Sequence, residues 1–199
     1  MSKSAIPDLI SEDIFRFGPG DKYALTIGTA APDALALSQM GEKCRARNEK
    51  LLVICADPLD AVRLGQEIPW FSPSLGVRSL PDWETLPYDV LSPQEDIVSE
   101  RLETLYRMTS GAKGLDVVIA SAVTAAQRMA PVAYVGANTF FFRPGDKLSV
   151  DGFRANLAAA GYANVKQVLA AGEFAVRGSI IDVFPMGSDK PFRLDLFDD

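Results

Sequence analysis

Residues Gly172–Phe197 read GEFAVRGSIIDVFPMGSDKPFRLDLF and have the pattern of a β-hairpin or of two consecutive strands. Residues 178–184 are rich in β-branched and aromatic side chains, and residues 185–191 are dense in turn-forming residues. Residues 192–197 then alternate between the two faces of a strand. One face, predicted to be core, carries Phe192, Leu194 and Leu196, and the other carries Arg193, Asp195 and Phe197.

The second face places a guanidinium, a carboxylate and an aromatic ring side by side. Arg177 enters just before the first strand, next to Gly178, which leaves the backbone open to close approach. Arginine and aromatic side chains on a rigid sheet have the composition of a protein-binding hot spot. Alternatively, Arg193 and Asp195 simply face solvent and Phe197 packs under a loop. Single surface aromatics are common, so the residues alone favour this second interpretation.

The composition is that of an ordinary globular protein and excludes several kinds of function. The 199 residues are 48% hydrophobic and 23% charged, enough for one large or two small domains. The net charge of −6 disfavours an autonomous DNA-binding module, because such modules gather positive charge against phosphates. The chain has no histidine, which removes the usual general base and the commonest metal ligand.

The two cysteines, Cys44 and Cys55, do not have the spacing of a metal site. Cys55 lies in an apolar run and is predicted to be a small buried hydrophobe. Cys44 lies among basic residues near a helix end, where a reactive thiol is possible but a bystander is favoured. The N-terminus lacks a signal-peptide pattern and no apolar run is long enough to span a bilayer, so a soluble, cytoplasmic protein is predicted.

Strands and helices alternate along the first two-thirds of the chain. Strands are predicted at 23–27, 51–56, 77–80 and 115–120, and helices at 4–17, 32–47, 58–68, 93–108 and 121–128. The continuous apolar run 51–56 is typical of a parallel strand covered on both faces. Predicted helix starts include an N-cap at Asp57, a capping box at residues 92–95 and an N-cap at Ser121. This succession predicts an α/β domain with a parallel sheet.

The pattern changes after about residue 131. Strands are predicted at 139–143 and 165–169, and a helix at 150–161 is capped by Ser149 or Asp151. The predicted organisation is an N-terminal extension over 1–22, an α/β domain over 23–136 and a small α+β domain over 137–199. Because the sequence stops directly after a strand, a truncated chain is expected.

The turn after the first predicted strand, residues 28–32, is where a nucleotide-binding α/β domain would carry its phosphate loop. Cradling phosphates requires several glycines, a lysine and a hydroxyl, and this turn has one glycine and no lysine. We therefore predict no nucleotide cofactor for this part of the chain.

The loop 81–89 contains Trp83, Pro87 and Tyr88, which could stack on a nucleobase or cap the edge of the sheet. Its carboxylates Asp82, Glu84 and Asp89 would repel phosphates, so the structural role is favoured.

Two long motifs occur in the order found in a known family. They are LPDWETLPYD at residues 80–89, continued along the following helix, and the runs VRG, DVFPMGS and FRLD at 176–178, 182–188 and 192–195. Over roughly residues 23–199 the chain resembles the N-terminal, UvrB-like region of the bacterial transcription-repair coupling factors, the Mfd family.

The resemblance implies a degenerate helicase-like α/β domain with a parallel sheet, followed by a small α+β domain that binds UvrA and performs no chemistry. It implies UvrA-contacting side chains at Arg177, Arg193 and Phe197, supported by Gly178 and Asp195. It thereby favours the protein-binding interpretation of this face over the solvent-facing one. The missing phosphate loop argues against the alternative, a UvrB-like ATP-dependent subunit that loads on damaged DNA. The resemblance further implies that a module binding RNA polymerase and a DNA motor using ATP and magnesium lie downstream.

Overall fold

The computed structural model describes residues 9–11, 18–22, 24, 31–85, 92–111, 113–137, 139–140 and 142–196. In chain order the elements are α1 (Ala31–Ala46), β1 (Leu51–Cys55), α2 (Pro58–Phe71), β2 (Val77–Leu80), α3 (Glu95–Thr109), β3 (Val117–Ser121), α4 (Ala122–Ala126), α5 (Val132–Ala137), α6 (Val150–Ala159), β4 (Ala163–Asn164), β5 (Glu173–Arg177), β6 (Ile180–Phe184) and β7 (Phe192–Asp195). The predicted continuous helix 4–17 is wrong, because its described residues, 9–11, are not helical. Most of the predicted strand 23–27 and the glycine of the 28–32 turn lie outside the described residues.

The chain divides into two compact units. The first unit comprises Met1–Leu80 and Lys113–Ala125, and the second comprises Pro81–Ala112 and Ala126–Asp199. The domain limits proposed from sequence, 1–22, 23–136 and 137–199, remain predictions.

The first unit is built on a parallel sheet with the strand order β1-β3-β2. The central strand β3 is buried along its whole length. The prediction that β1 is covered on both faces is wrong, because its Leu52 and Ile54 are each 55% exposed. One face of the sheet packs against α1 and α2 in a core that includes Ala34, Val53, Leu64, Ile68, Val117 and Ile119. The α/β class with a parallel sheet, predicted from the alternation of strands and helices, is confirmed.

The start of α2 is fixed by its sequence. The Asp57 carboxylate accepts a hydrogen bond from the Leu59 amide at 2.8 Å, and Pro58 occupies the first turn. Proline suits this position because the first amides of a helix have no intrahelical acceptor. The predicted cap at Ser121 is also confirmed, since its hydroxyl accepts from the Thr124 amide at 3.1 Å.

The second unit contains a separate, mixed sheet with the order β4-β5-β6-β7. The strands β4 and β5 are parallel, and β5, β6 and β7 run antiparallel to their neighbours. One face of this sheet packs on α6 through a core of five residues, Phe153, Leu157, Phe174, Ile181 and Val183. The hydroxyl of Ser149 caps α6 by accepting from the Gly152 amide at 3.3 Å. The predicted small α+β fold is confirmed.

Two predicted strands of the second unit are wrong. The described residues of 139–143 form no strand, because Phe140 and Phe142 turn their rings edge-on to Phe153, at centroid distances of 5.5 and 4.9 Å. Residues 165–169 form a bend and not a strand. The Leu169 and Ala170 amides at its end donate hydrogen bonds to the Glu173 carboxylate. The short strand lies just before them, at Ala163–Asn164.

The starts of two helices also differ from the prediction. The capping box at 92–95 is wrong, because α3 begins only at Glu95 and Gln94, its extended N-cap residue, makes no side-chain cap bond. The helix α5, Val132–Ala137, was not predicted.

Candidate docking site

A tight turn between β5 and β6 positions Arg177 at the end of its strand. Arg177 is the partner of Ile180 across the hairpin, so that Gly178 and Ser179 form a two-residue turn. Gly178 has a φ of +63°, which the preferred hairpin turns require at this position. No atom lies within 4 Å of the position that a Cβ would occupy there, so the backbone is open at this turn.

The strand register brings the predicted charged residues onto one face. In the β6–β7 pairing Asp182 lies opposite Arg193, and Ile180 lies opposite Asp195. Because side chains alternate along a strand, Asp182, Arg193 and Asp195 project from the same side as Arg177. We call this side of the sheet, with these four residues, the charged face.

Arg193 is held in place by a carboxylate that the sequence analysis did not single out. Its Nε and Nη2 donate to the two carboxylate oxygens of Asp182 at 2.6 and 2.9 Å. Such a two-bonded geometry fixes the plane of the guanidinium. The hydrogen bond from Arg193 lowers the pKa of Asp182, and the same bond raises the pKa of Arg193.

Asp195, which the resemblance gives a supporting role, acts on Arg193 through its charge. Its negative charge contributes to the raised pKa of Arg193, but the bidentate bond comes from Asp182. Asp182 can be identified only once the register between β6 and β7 is known. In that register it lies two residues after Ile180 in β6, directly opposite Arg193 in β7.

Arg177 is held by the backbone. Its Nη2 donates to the Lys166 carbonyl oxygen at 2.6 Å, in the segment that follows β4. The two guanidinium groups are therefore positioned by different means, one by a carboxylate and one by a carbonyl.

A groove of about 550 Å³ crosses the charged face. Its lining comes from the segment after β4, from β5 and β6, and from the start of β7, and consists of Gln167, Val168, Arg177, Asp182, Pro191, Phe192 and Arg193. Phe192 was predicted to be core and is 47% exposed, so this prediction is wrong. It is the first residue of β7, where the sheet ends, and only Leu194 and Leu196 of that set pack on the core.

Phe197, the third predicted contact residue, lies outside the described residues. The structure thus brings together Arg177, Gly178, Arg193 and Asp195 on one exposed face. Their role in binding remains a prediction.

Trp83, which was considered as a base-stacking residue, has its ring face occupied by an arginine. The guanidinium carbon of Arg101 lies 4.1 Å from the ring centroid. Arg101 is only 2% exposed, its Nη1 donates to the Pro81 carbonyl oxygen, and burial lowers its pKa. Pro87 and Tyr88 lie outside the described residues.

Both cysteines are buried in the interior of the first unit, and burial raises the pKa of each thiol. A raised pKa disfavours the reactive thiolate, so the bystander interpretation of Cys44 is supported. In the described part of the chain, no group of three or more acidic or cysteine side chains could hold a metal ion. No helix among the described residues is long and apolar enough to cross a membrane.

Comparison with known proteins identifies the family. Residues 140–199, which include the charged face, match the UvrB interaction domain. The transcription-repair-coupling factor of Haemophilus influenzae is 43% identical over 182 residues, which are 91% of this chain and 15% of that protein. The chain belongs to the transcription-repair-coupling-factor family. The coupling factor of Escherichia coli is 39% identical over 180 residues, covering 90% of this chain and 15% of that protein. The coupling factor of Staphylococcus aureus strain NCTC 8325 is 30% identical over 177 residues, which are 88% of this chain and 15% of that protein. The chain therefore spans about 15% of the length of the curated coupling factors that it matches.

Proposed function

We propose that this chain is a non-catalytic recruitment module that binds UvrA through the charged face. The observation that carries the proposal is a fixed arginine, Arg193, beside a second arginine, Arg177, on one exposed side of a domain that matches the UvrB interaction domain. Phe197 is the proposed aromatic partner of this pair, and Gly178 and Asp195 have supporting roles.

The proposal has a physical basis in how the two arginines are held. An unconstrained arginine loses side-chain entropy when it binds, and a guanidinium that is already positioned loses less. Asp182 occupies two of the five N–H bonds of Arg193, and the side chain is still 60% exposed. The outward N–H groups can thus receive a carboxylate of UvrA while Asp182 keeps the plane fixed.

Recruitment would act through local concentration. A coupling factor at a stalled transcription complex that also binds UvrA raises the concentration of the nucleotide excision repair machinery at that site. We place binding of RNA polymerase and double-stranded DNA, and use of ATP and magnesium, in other parts of the whole coupling factor. Such a protein would work in the cytoplasm, where its partners are.

The test is titration of purified UvrA with the wild-type chain and with Arg193→Ala. Loss of a central arginine contact is expected to weaken binding by about 30-fold or more. Arg154→Ala removes an exposed arginine of α6 and is the matched control, expected to bind as the wild type does. Equal affinities for the wild type and Arg193→Ala would refute the proposed site.

The rival function is that of a UvrB-like ATP-dependent subunit loading on damaged DNA. It requires a phosphate loop, and the sequence of residues 28–32 provides neither the lysine nor the glycines for one. Calorimetric titration with magnesium-ATP is expected to show no binding to this chain, and saturable binding would favour the rival.

A third candidate, an autonomous DNA-binding module, is disfavoured by the net charge of −6. A gel shift with duplex DNA over a range of salt concentrations is expected to show no complex.

A further inference from the structure

The connection between β4 and β5 belongs to the same surface as the two arginines. Because β4 and β5 are parallel neighbours, the chain has to return along the sheet before β5 begins. It returns in residues 165–172, which we call the crossover loop. Gln167 and Val168 of this loop line the groove together with Arg177 and Arg193. The loop therefore forms one wall of the charged face.

Two side chains of β5 tie the crossover loop to the sheet. Alternation along β5 directs Glu173 and Arg177 to the side opposite the core. The Glu173 carboxylate accepts hydrogen bonds from the amides of Leu169 and Ala170 at 2.7 and 2.9 Å. Near the other end of the loop, Arg177 donates to the Lys166 carbonyl oxygen at 2.6 Å. The loop is thus held at both ends from a single strand.

The attachment at Glu173 is a strong one. Both amides donate to the same carboxylate oxygen, Oε2, and hydrogen bonds to an ionised acceptor are stronger than those between neutral groups. These bonds, with that from Leu169 contributing most, lower the pKa of Glu173. The carboxylate is therefore ionised at neutral pH and holds the part of the loop that leads into β5.

Glu173 influences Arg177 through the loop and not by direct contact. The two residues stand at opposite ends of β5, four positions apart, which in a strand is about 13 Å. That separation exceeds the Debye length of about 8 Å at physiological ionic strength, so their charges are largely screened from one another. The connection that remains is the loop itself, because the acceptor of Arg177 is the Lys166 carbonyl.

We propose that Glu173 is a positioning residue of the docking site. Its carboxylate holds the crossover loop, and the loop holds Arg177 through the Lys166 carbonyl. An arginine that is fixed before a partner arrives loses less side-chain entropy on binding. This inference rests on the proposed function and adds a residue that acts on the site without contacting UvrA.

The first test follows the free chain by NMR. In Glu173→Ala, the Leu169 and Ala170 amides should exchange about 10-fold faster, and the Arg177 Nε should become more mobile in ¹⁵N relaxation. The Ile181 amide in the core of the same sheet should keep its protection, which shows that the fold is intact. An unchanged Arg177 side chain in Glu173→Ala would overturn the inference.

A matched pair of variants separates the acceptor from the charge, and it keeps the inference testable if Glu173→Ala is poorly folded. Glu173→Gln keeps the length and an acceptor oxygen but loses the charge, whereas Glu173→Asp keeps the charge on a shorter side chain. Glu173→Gln should leave Arg177 as ordered as in the wild type, and Glu173→Asp should not. The reverse result would show that the charge acts instead, contradicting the inference.

The second test is a double-mutant cycle in titrations of UvrA. Glu173→Ala should weaken binding about 5-fold, which is the scale of ordering one long side chain. In an Arg177→Ala background it should cause no further loss, because its route to the partner is gone. In an Arg193→Ala background the full loss should remain, since Asp182 holds Arg193 independently of the loop.

The outcomes separate this inference from the proposed function. If the wild-type chain does not bind UvrA, the proposed function fails and the docking role of Glu173 fails with it. If the wild type binds and Glu173→Ala causes the same loss with and without Arg177, only the inference about Glu173 fails. Binding of Glu173→Ala at the wild-type affinity would have the same meaning.

Discussion

Arg193 shows how much of a functional side chain can be predicted before the structure is known. Alternation along residues 192–197 places it on the outer face, and this is confirmed. Its bidentate partner, Asp182, depends on the register between β6 and β7, which is set by the conformation of the seven-residue connection 185–191. A sequence pattern does not determine that conformation, so the residue that fixes the guanidinium escaped the sequence analysis.

The ion pair between Asp182 and Arg193 makes a prediction about pH. The hydrogen bond from Arg193 depresses the pKa of Asp182 in the folded state, so this interaction stabilises the fold above the unfolded pKa and is lost as pH falls through the folded pKa. We expect the Asp182 carboxyl carbon to titrate below the ordinary aspartate value of about 3.9 in an NMR experiment. In Arg193→Ala the midpoint should move back up, and an unchanged midpoint would contradict the assignment of the cause.

Arg101 is predicted to be a structural residue of the second unit. Arg101→Ala would leave a cavity against Trp83 and remove the donor to the Pro81 carbonyl, lowering the free energy of unfolding by about 2–4 kcal/mol. The measurement is thermal melting followed by tryptophan fluorescence in a Trp70→Phe background, because Trp70 is exposed and would mask Trp83. Arg154→Ala is the control, and an unchanged melting temperature for Arg101→Ala would refute this role.

At the scale of elements, the start of β2 depends on a glycine. Gly76 accepts hydrogen bonds from the amides of Asp116 and Val117 and donates to the Asp116 carboxylate at 2.8 Å. A Cβ at this position would lie 1.9 Å from the Gly114 carbonyl oxygen, a distance that no relaxation of a side chain can relieve. Glycine is therefore required here by space.

We expect Gly76→Ala to lower the free energy of unfolding by about 3 kcal/mol or more, since backbone must move to admit the methyl group. The matched control is Gly136→Ala in α5, where a Cβ would meet nothing within 4 Å. Alanine favours a helix, so the control should melt at the wild-type temperature or slightly above it. Denaturant unfolding of both variants measures the difference, and equal stability would contradict the steric argument.

The turn between β6 and β7 is tied to α3 by one hydrogen bond. The Gly187 amide donates to the Ser99 hydroxyl at 2.6 Å. Ser99→Ala leaves this amide without that acceptor and should cost about 1–2 kcal/mol. Hydrogen exchange is the measurement: the Gly187 amide should exchange faster, while amides of the central strand β3 keep their protection. Unchanged exchange at Gly187 would show that another acceptor replaces Ser99.

The elements that were predicted correctly have strong local signals. The strands β1 and β3 follow from their apolar runs. Three helix starts follow from side chains that accept a hydrogen bond from a backbone amide, at Asp57, Ser121 and Ser149. The errors lie where a tertiary contact competes with local propensity. Phe140 and Phe142 are residues that favour a strand, but their rings pack edge-on against Phe153 and the described residues around them form no strand.

At the scale of the whole coupling factor, the proposed function predicts interference. The chain spans about 15% of its relatives, so an excess of it would occupy UvrA without the rest of the protein. In a reconstituted transcription-coupled repair reaction, the added chain should reduce the preference for incision at lesions that block transcription. Arg193→Ala should not inhibit, whereas Arg154→Ala should inhibit as the wild type does. Full activity at a saturating concentration of the wild-type chain would contradict the proposal.

The ion pair on the charged face also has a consequence for cells under acid stress. The chain has no histidine, the carboxylate at position 182 titrates below its ordinary range, and guanidinium groups keep their proton throughout biological conditions. None of these groups gains or loses charge when the interior of a bacterium drifts by a unit around neutrality. This side of the contact would consequently hold a repair partner as firmly in an acidified cell as in a growing one.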